Sequence, residues 1–328
     1  MQGAPSTLAP AGQGAHLIAP LAWLLIVVAA AVCLIVAALV IAGARRRGTM
    51  AEHAPPDAGG GTGWIQMGGL LVPILVLAAT FLLSERTLGA LREQSHAAMP
   101  VVPAGTLPDT GLTVDVTGRQ WWWQFRYRDS EMGAGFTTAN ELHVPVGRPV
   151  HIRLHSTDVN HSFWIPQLHP KEDLIPGQIT ALTIEAQRAG VYRGECSEFC
   201  GEEHARMVFT VVAESPDRFG EWLAHERRDA AVPSDSLAAR GRAAFLSNAC
   251  AFCHTIRGTP AQGAVAPDLT HLASRPTLAA GTLPNTRPML EGWIMNAPAI
   301  KPGTQMPAFP QLDSGTLRAL VAYLETLR

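Results

Sequence analysis

Two long stretches without any Asp, Glu, Lys or Arg limit the fold of this 328-residue chain more than any other feature. They cover residues 1–44 and 58–84. Within them, residues 17–42 and 64–83 are almost continuously apolar. About 20 such residues are enough to cross a hydrocarbon core of about 30 Å. Pro73 lies in the second run, but membrane helices tolerate proline. The sequence therefore predicts a two-helix transmembrane hairpin.

The alternative for the first run is a cleaved signal peptide, which has a basic segment before an apolar core of about 7–15 residues. No Lys or Arg precedes this run, and the run is too long for that core. Arg45, Arg46 and Arg47 follow it, so the positive-inside rule places the loop between the spans in the cytoplasm. We therefore expect residues 1–16 to be an outward-facing tail. After the hairpin at residues 17–99, a soluble head should lie on the periplasmic side of a bacterial inner membrane.

Charge and cysteine usage narrow the class of protein further. The chain has 25 Lys and Arg against 27 Asp and Glu, which disfavours the clustered basic surface of a nucleic-acid-binding protein. We expect membrane lipid, and no nucleic acid, among its partners. Of five cysteines, Cys33 lies in the first span as a packing residue, and the other four form two close pairs beside histidines.

The head changes in composition along its length. Its first part alternates apolar with polar residues, as in Val150–His155, where His151 and His155 should face solvent. This pattern and its Gly- and Pro-containing turns predict a β-sandwich or barrel, whereas the C-terminal part has helical spacing. The predicted units are a Pro/Gly-rich start at residues 100–111, a β unit over 100–214, a linker at 215–235 and a helical unit over 236–328.

The first cysteine pair lies in a twelve-residue motif that could bind metal. It contains Cys196, Cys200, His204 and Met207, and His161 is the obvious partner from an earlier strand. A blue copper site needs one Cys, two His and a weak axial Met. The second thiolate here could bridge two copper ions, which would suit an electron carrier. A Cys₂His₂ zinc site, a Cys196–Cys200 disulfide and a copper-delivery protein are the alternatives.

These motifs together resemble subunit 2 of cytochrome c oxidase over about residues 15–215. The resemblance rests on the two spans, the aromatic run Gly118–Tyr127, the His161 segment and C-S-E-F-C-G-x-x-H-x-x-M. It implies an all-β, cupredoxin-like barrel with a dinuclear CuA centre. In that centre the bridging residues would be Cys196 and Cys200, and the terminal ligands His161, His204 and Met207. The carbonyl of Glu198 would bind one copper, and its carboxylate would reach a magnesium ion at the interface with subunit 1.

Three tryptophans follow Gln120. Trp121 matches the residue through which electrons enter in this family. The alternative is that Trp121 is an aromatic residue of the hydrophobic core. Alternation along a strand predicts Trp121 and Trp123 on one face and Trp122 on the other. The chain departs from the family pattern by lacking a carboxylate just before the second span and by having Gln178 where Arg is common.

The second cysteine pair forms C-x-x-C-H, the attachment signature of c-type haem. Cys250 and Cys253 can reach two vinyl groups of one porphyrin while His254 binds the iron. A thioredoxin-like pair is the alternative. Met306, in a Pro-flanked loop, is the expected sixth ligand, and a Met/His pair raises the haem potential. The competitors for that position are Met289, Met295 and His271.

Residues 240–245 and 266–270 resemble class I cytochrome c. The full pattern thus resembles a caa-type oxidase subunit: a multidomain membrane protein with a transmembrane hairpin, a cupredoxin-like domain and an all-α cytochrome c domain. The resemblance implies electron transfer from a c-type donor through haem c and CuA to subunit 1, with subunit 3 as a further partner. The rival functions are a CuA subunit of nitric oxide reductase, a copper-handling protein and a free-standing membrane-anchored shuttle. A quinol oxidase subunit is disfavoured because that branch lacks the copper ligands.

Overall fold

The computed structural model describes most of the chain. The described residues are 6–47, 61–98, 111–128 and 135–328. The first five residues of the predicted tail, the loop between the spans at 48–60 and nearly all of the predicted start at 100–111 lie outside these ranges.

The N-terminal part is a helical hairpin whose two arms contact each other. The first arm is α1 (Gln13–Arg47). The second arm runs through α2 (Thr62–Gln66), a π-helical turn (Met67–Leu71) and α3 (Val72–Ala98). Both arms are long and apolar enough to cross a membrane, and their apolar windows are not buried inside the protein. Both also extend beyond the predicted spans, because the helices continue into the polar residues that follow.

The hairpin is joined to the head near the start of α1. The amides of Ala11 and Gly12 donate to the carbonyl of Gln167 at 2.7 and 3.0 Å. Arg188 donates from its guanidinium to the carbonyl of Pro10 at 2.7 Å. The segment before the first arm is therefore attached directly to the β domain.

The β domain consists of two five-stranded sheets. The strands are β1 (Leu112–Arg119), β2 (Trp122–Arg128), β3 (Phe136–Ala139), β4 (Glu141–Pro145), β5 (Val150–Ser156), β6 (His161–Ile165), β7 (His169–Leu174), β8 (Thr180–Ile184), β9 (Gly190–Cys196) and β10 (Val208–Glu214). One sheet has the order β3-β2-β1-β5-β8 and the other β4-β10-β9-β6-β7. Buried aromatic rings pack in the core, including Trp123, Phe125, Phe163 and Phe209. This is the all-β architecture expected of a cupredoxin-like domain.

The polar face of β5 is more buried than the alternation of apolar and polar residues along the strand predicts. His151, expected at the surface, is buried, and its Nδ1 lies 3.2 Å from the hydroxyl of Thr183 on the neighbouring strand. His155 is half-buried, and its Nε2 lies 3.0 Å from the hydroxyl of Thr117. The expectation of a solvent-facing side chain was wrong for His151, whereas His155 is partly exposed. Alternation identifies the two faces of a strand without showing what covers the second.

The segment predicted as a linker begins with a helix that packs on the β domain. Ser215 caps α4 (Pro216–Glu226), accepting from the Arg218 amide, and the proline at the first helical position suits that start. Phe219 and Trp222 face the aromatic core, and the Trp222 indole stacks on His143 with centroids 4.0 Å apart. Of the predicted linker, only residues 227–235 lie between α4 and the first helix of the next domain.

The C-terminal domain is mainly helical. Its helices are α5 (Ser236–Ser247), α6 (Cys250–Cys253), α7 (Arg287–Ile300) and α8 (Ser314–Leu324), and two short strands form a hairpin, β11 (Thr277–Leu278) and β12 (Leu283–Pro284). The first and last helices cross where Gly241 faces the Ala319 backbone, and a Cβ there would lie 1.8 Å from the Ala319 carbonyl oxygen. Asp313 caps α8 by accepting from two backbone amides. The small β-hairpin is an addition to the all-α expectation.

Candidate metal centre and haem site

Two adjacent segments of the β domain bring together the predicted copper ligands. His161 is the first residue of β6, and Cys196 is the last residue of the neighbouring strand β9. The following loop supplies Cys200 and His204, and Met207 directly precedes β10. Because β9 and β10 are paired up to Val208, the loop must fold back over the end of the sheet, where His161 lies.

The donor atoms of this group are close together. The two thiol sulfurs are 3.8 Å apart, and Cys196 Sγ is 3.9 Å from His161 Nδ1. Cys200 Sγ is 3.6 Å from His204 Nδ1 and 3.9 Å from Met207 Sδ. A disulfide has a sulfur–sulfur distance of about 2.05 Å, so the cysteines are free thiols here. Two central thiols with one imidazole beside each fit the donor set of a bridged copper pair.

Met207 distinguishes between the metals considered from the sequence. Its side chain is fully buried, and its thioether is in contact with the thiol of Cys200. A zinc site made only from two Cys and two His leaves this thioether without a role, whereas copper centres use a weak Met ligand. The backbone oxygen of Glu198 lies 3.3 Å from Cys196 Sγ, so it is also close enough to complete a metal shell.

The hydrogen bond between the two thiols shifts their pKa values in opposite directions. The pKa of Cys196 is lowered to about 3, chiefly by the hydrogen bond between its sulfur and that of Cys200. The pKa of Cys200 is raised by the same hydrogen bond and by burial. Both sulfurs would have to be thiolates to hold a metal, because the thiolate is the form of cysteine that binds metal.

Asp158, for which the sequence pattern predicted no role, orients His161. Its carboxylate, Asp158 Oδ1, lies 2.8 Å from His161 Nε2, so this nitrogen carries the hydrogen and Nδ1 is left free toward Cys196. The amides of Gln120 and Val159 donate to the same carboxylate, each at 2.7 Å. Burial alone would lower the pKa of His161, but the hydrogen bonds to Asp158 and Cys196 raise it. Asp158 lies only three residues before His161, and this short spacing was the feature of the sequence that could have indicated its role.

The helical domain contains a cavity with all four predicted haem residues in its wall. They are Cys250, Cys253, His254 and Met306. The half-buried His254 imidazole has its Nδ1 2.7 Å from the Pro267 carbonyl oxygen, so Nδ1 donates and Nε2 is free to bind iron. Burial lowers the pKa of His254, which keeps the imidazole neutral, as a metal ligand must be. These features fit a covalently attached haem.

The competing sixth ligands lie elsewhere. Met289, Met295 and His271 are not among the described residues that line this cavity. Met289 is exposed, and His271 places Nε2 3.1 Å from the carbonyl oxygen of Arg228. The geometry therefore favours Met306.

Trp121 lies between the two candidate sites. Its indole nitrogen donates to the Cys200 carbonyl at 2.9 Å, and its ring also lines the haem cavity. Trp123 is fully buried in the β core and donates to the Met207 carbonyl at 3.3 Å, whereas Trp122 is half-buried beneath the Arg119 guanidinium. This burial agrees with the prediction that Trp121 and Trp123 share one face and that Trp122 lies on the other. Trp121 itself precedes strand β2.

Comparisons with known proteins agree with the geometry. The family described as "Cytochrome C oxidase subunit II, periplasmic domain" matches residues 131–215, and the family "Cytochrome c" matches residues 238–328. A cytochrome c oxidase subunit 2 of Alkalihalophilus pseudofirmus is 37% identical over 226 residues, which are 69% of this chain and 64% of that protein. The chain thus spans slightly less than two thirds of this relative's length.

Two further relatives carry the same description. Cytochrome c oxidase subunit 2 of Bacillus subtilis is 29% identical over 85% of this chain and 79% of its own length. The corresponding protein of Bacillus sp. strain PS3 is 32% identical over 66% of this chain and 62% of its own length. These matches confirm the resemblance drawn from the motifs. The chain therefore contains a periplasmic domain of the cytochrome c oxidase subunit II family, followed by a cytochrome c domain.

Proposed function

We propose that this chain is subunit 2 of a proton-translocating haem–copper oxidase of the caa type. It would relay electrons from a c-type donor to subunit 1, where oxygen is reduced to water. The observation that carries the proposal is the pairing, in one chain, of a Cys₂His₂Met cluster with a haem cavity that shares Trp121 with it. Dinuclear copper and haem c, when bound, each supply a one-electron redox couple.

The residues of the chain have distinct tasks in this function. Cys196 and Cys200 would bridge the coppers, with His161, His204 and Met207 as terminal ligands and the Glu198 carbonyl completing one shell. Cys250 and Cys253 would attach the haem, with His254 and Met306 on the iron. Asp158 and the Pro267 carbonyl hold the imidazoles of His161 and His254 in the tautomers that bind metal. Trp121 would conduct electrons between the two sites.

The copper loop also offers a surface for the acceptor. Phe199, between the two cysteines, is 76% exposed, and the half-buried Glu198 precedes it. An exposed aromatic ring is typical of a protein contact. We assign this loop to the interface with subunit 1, where the Glu198 carboxylate would reach a magnesium ion. Subunit 3 would complete the complex.

The haem domain offers a separate surface for the donor. Phe252, between the two haem cysteines, is 82% exposed, and Val265, which lines the haem cavity, is 59% exposed. An apolar surface beside the haem edge suits a c-type cytochrome. It would be reached from the periplasmic side of a bacterial inner membrane. The hydrogen bonds between residues 11–12 and the β domain support a tail and a head on the same side of the membrane.

The test is to count copper and haem in the full chain, produced in detergent with haem maturation. We expect two coppers that share one unpaired electron, seen by electron paramagnetic resonance, and one low-spin covalent haem. The variant Cys200→Ser should lose the shared-electron spectrum and keep the haem. A single copper, a zinc ion or a disulfide in the wild-type chain would refute the copper relay. Copurification with a subunit that reduces nitric oxide instead of oxygen would assign the chain to the rival reductase.

A further inference from the structure

Lys301 is a buried cation at the contact between the two domains. The chain has only two lysines, and they differ sharply: the Lys171 side chain is 47% exposed, and Lys301 is 3% exposed. The three ammonium hydrogens of Lys301 have three backbone acceptors, the carbonyl oxygens of Trp121 at 2.8 Å, Arg206 at 2.9 Å and Ala279 at 3.1 Å. Burying a cation is costly unless it is fully hydrogen-bonded, and all three donors are used here.

The three acceptors belong to different parts of the chain. Trp121 and Arg206 lie in the β domain, the latter directly before the proposed ligand Met207, and Ala279 lies in the haem domain. Arg206 also donates to the carbonyl of Ile300, next to Lys301, at 3.0 Å. Lys301 therefore links its own domain to the backbone beside both Trp121 and the copper loop.

Two glycines place the loops of both sites against the Trp121 ring. A Cβ at Gly201, which follows Cys200, would lie 3.0 Å from Trp121 Cζ2. A Cβ at Gly303, in the loop that leads to Met306, would lie 2.9 Å from Trp121 Cη2. Both glycines also have positive φ values, +116° and +76°, where side chains are disfavoured. Neither position has room for a side chain while the indole stays where it is.

We propose that Lys301 is a positioning residue that fixes the haem domain on Trp121, so that this tryptophan receives electrons from the chain's own haem and not directly from an outside donor. Trp121 is only 9% exposed, and Gly303 lies over its ring, so a second protein has little of the ring to contact. The direction of electron flow rests on the proposed function. The contact of the haem domain with Trp121 through Lys301 and Gly303, here called the docked arrangement, does not.

The docked arrangement can be measured without any cofactor signal, because the chain has only two lysines. The native full chain is treated with an amine-acylating reagent, and labelling at Lys301 and Lys171 is followed by mass spectrometry. We expect Lys301 to react at least about tenfold more slowly than Lys171, relative to their rates in the unfolded chain. Gly303→Val, which displaces the ring contact, should reduce this protection. Equal labelling of the two lysines in the native wild type would overturn the proposal.

The effect on electron transfer is measured in Lys301→Met, with Lys171→Met as the matched control. After rapid photochemical reduction of the haem in the full chain, its reoxidation by the copper centre is followed optically. We expect the rate to fall by about tenfold or more in Lys301→Met, since three carbonyls lose their donor and the docked state is weakened. The control should match wild type, and Lys301→Arg should retain more of the rate than Lys301→Met.

The outcomes separate this inference from the proposed function. Unchanged haem and copper spectra with a slow rate support a positioning role. A wild-type rate in Lys301→Met with intact spectra would refute it. If Lys301→Met does not fold, the labelling of the wild-type chain and of Gly303→Val decides. Absence of a copper pair in the wild type would refute the proposed function and leave the labelling result valid.

Discussion

Replacing Asp158 by Asn tests how the chain prepares His161 for copper. The carboxylate accepts from four groups: Oδ1 from His161 Nε2 at 2.8 Å, the Val159 amide at 2.7 Å and the Ser156 hydroxyl at 3.4 Å, and Oδ2 from the Gln120 amide at 2.7 Å. An amide side chain has only one oxygen, so its NH₂ group must face at least one of these donors. Since Oδ1 has more donors than Oδ2, the amide oxygen should take the place of Oδ1 and the NH₂ group should oppose the Gln120 amide. That opposition displaces the side chain, and its uncharged oxygen is a weaker acceptor for His161 Nε2 than a carboxylate, so the imidazole is held less firmly with Nδ1 free for metal. Loss of such an outer partner lowers metal affinity by about 10–100-fold, which is about 1.4–2.7 kcal/mol.

The affinity is measured on the full chain by copper competition with a chelator of known strength, at neutral pH. Electron paramagnetic resonance of the loaded variant shows in addition whether the copper–nitrogen coupling changes. Asp217→Asn is the control, since it makes the same chemical change at an exposed position in the first turn of α4. A copper affinity of Asp158→Asn within about twofold of wild type, with an unchanged spectrum, would show that His161 does not depend on Asp158.

Three further predictions concern the packing that supports the sites. Trp123→Ala should lower the free energy of unfolding by about 3–5 kcal/mol in denaturant titrations, because the indole is fully buried against Phe209; a loss below about 1 kcal/mol would contradict this. Gly241→Val should reduce haem incorporation, because its Cβ would overlap the Ala319 carbonyl, and copper content should stay at the wild-type value. A haem content equal to wild type, measured by absorbance, would argue against this contact between α5 and α8. Burial lowers the pKa of His169 below 6.5, so the unfolded chain binds the proton more readily than the folded chain does. The free energy of unfolding therefore falls as the pH drops below about 6.5. His169→Gln should therefore lose less thermal stability than wild type between about pH 7 and about pH 5, and an identical loss would refute the assignment.

Most members of the two proposed ligand sets could be selected from the sequence because their spacing is local, and the structure brings their side chains together. Four of the proposed copper ligands lie within residues 196–207, so a loop that closes over a strand end brings them together. The attachment motif at Cys250 is local for the same reason. His161 and Met306 are more distant in sequence, and they could be inferred because each kind of site requires a further ligand of that type.

Lys301 could not be predicted in this way. A single lysine followed by Pro-Gly is an ordinary surface turn by composition, and its three acceptors are backbone atoms of Trp121, Arg206 and Ala279. Every residue has a backbone carbonyl, so the sequence does not indicate which carbonyls will accept from a buried lysine. The packing of α4 on the β domain could not be predicted from the sequence for a related reason: the segment is mostly polar, and only two aromatic residues in it face the β domain.

The connector between the domains also limits how far the haem domain can move. Arg257 donates to the carbonyls of Glu226 and Arg228, and the amide of Ala230 donates to the Arg257 carbonyl at 3.1 Å. The residues that leave α4 are thus attached to the haem domain itself, and a tether of this kind keeps the effective concentration of the domain high near Trp121. Loss of Lys301 should consequently loosen the docked arrangement without releasing the domain. The expected phenotype is therefore slower transfer of electrons within an intact chain, and not a separation of the two redox sites.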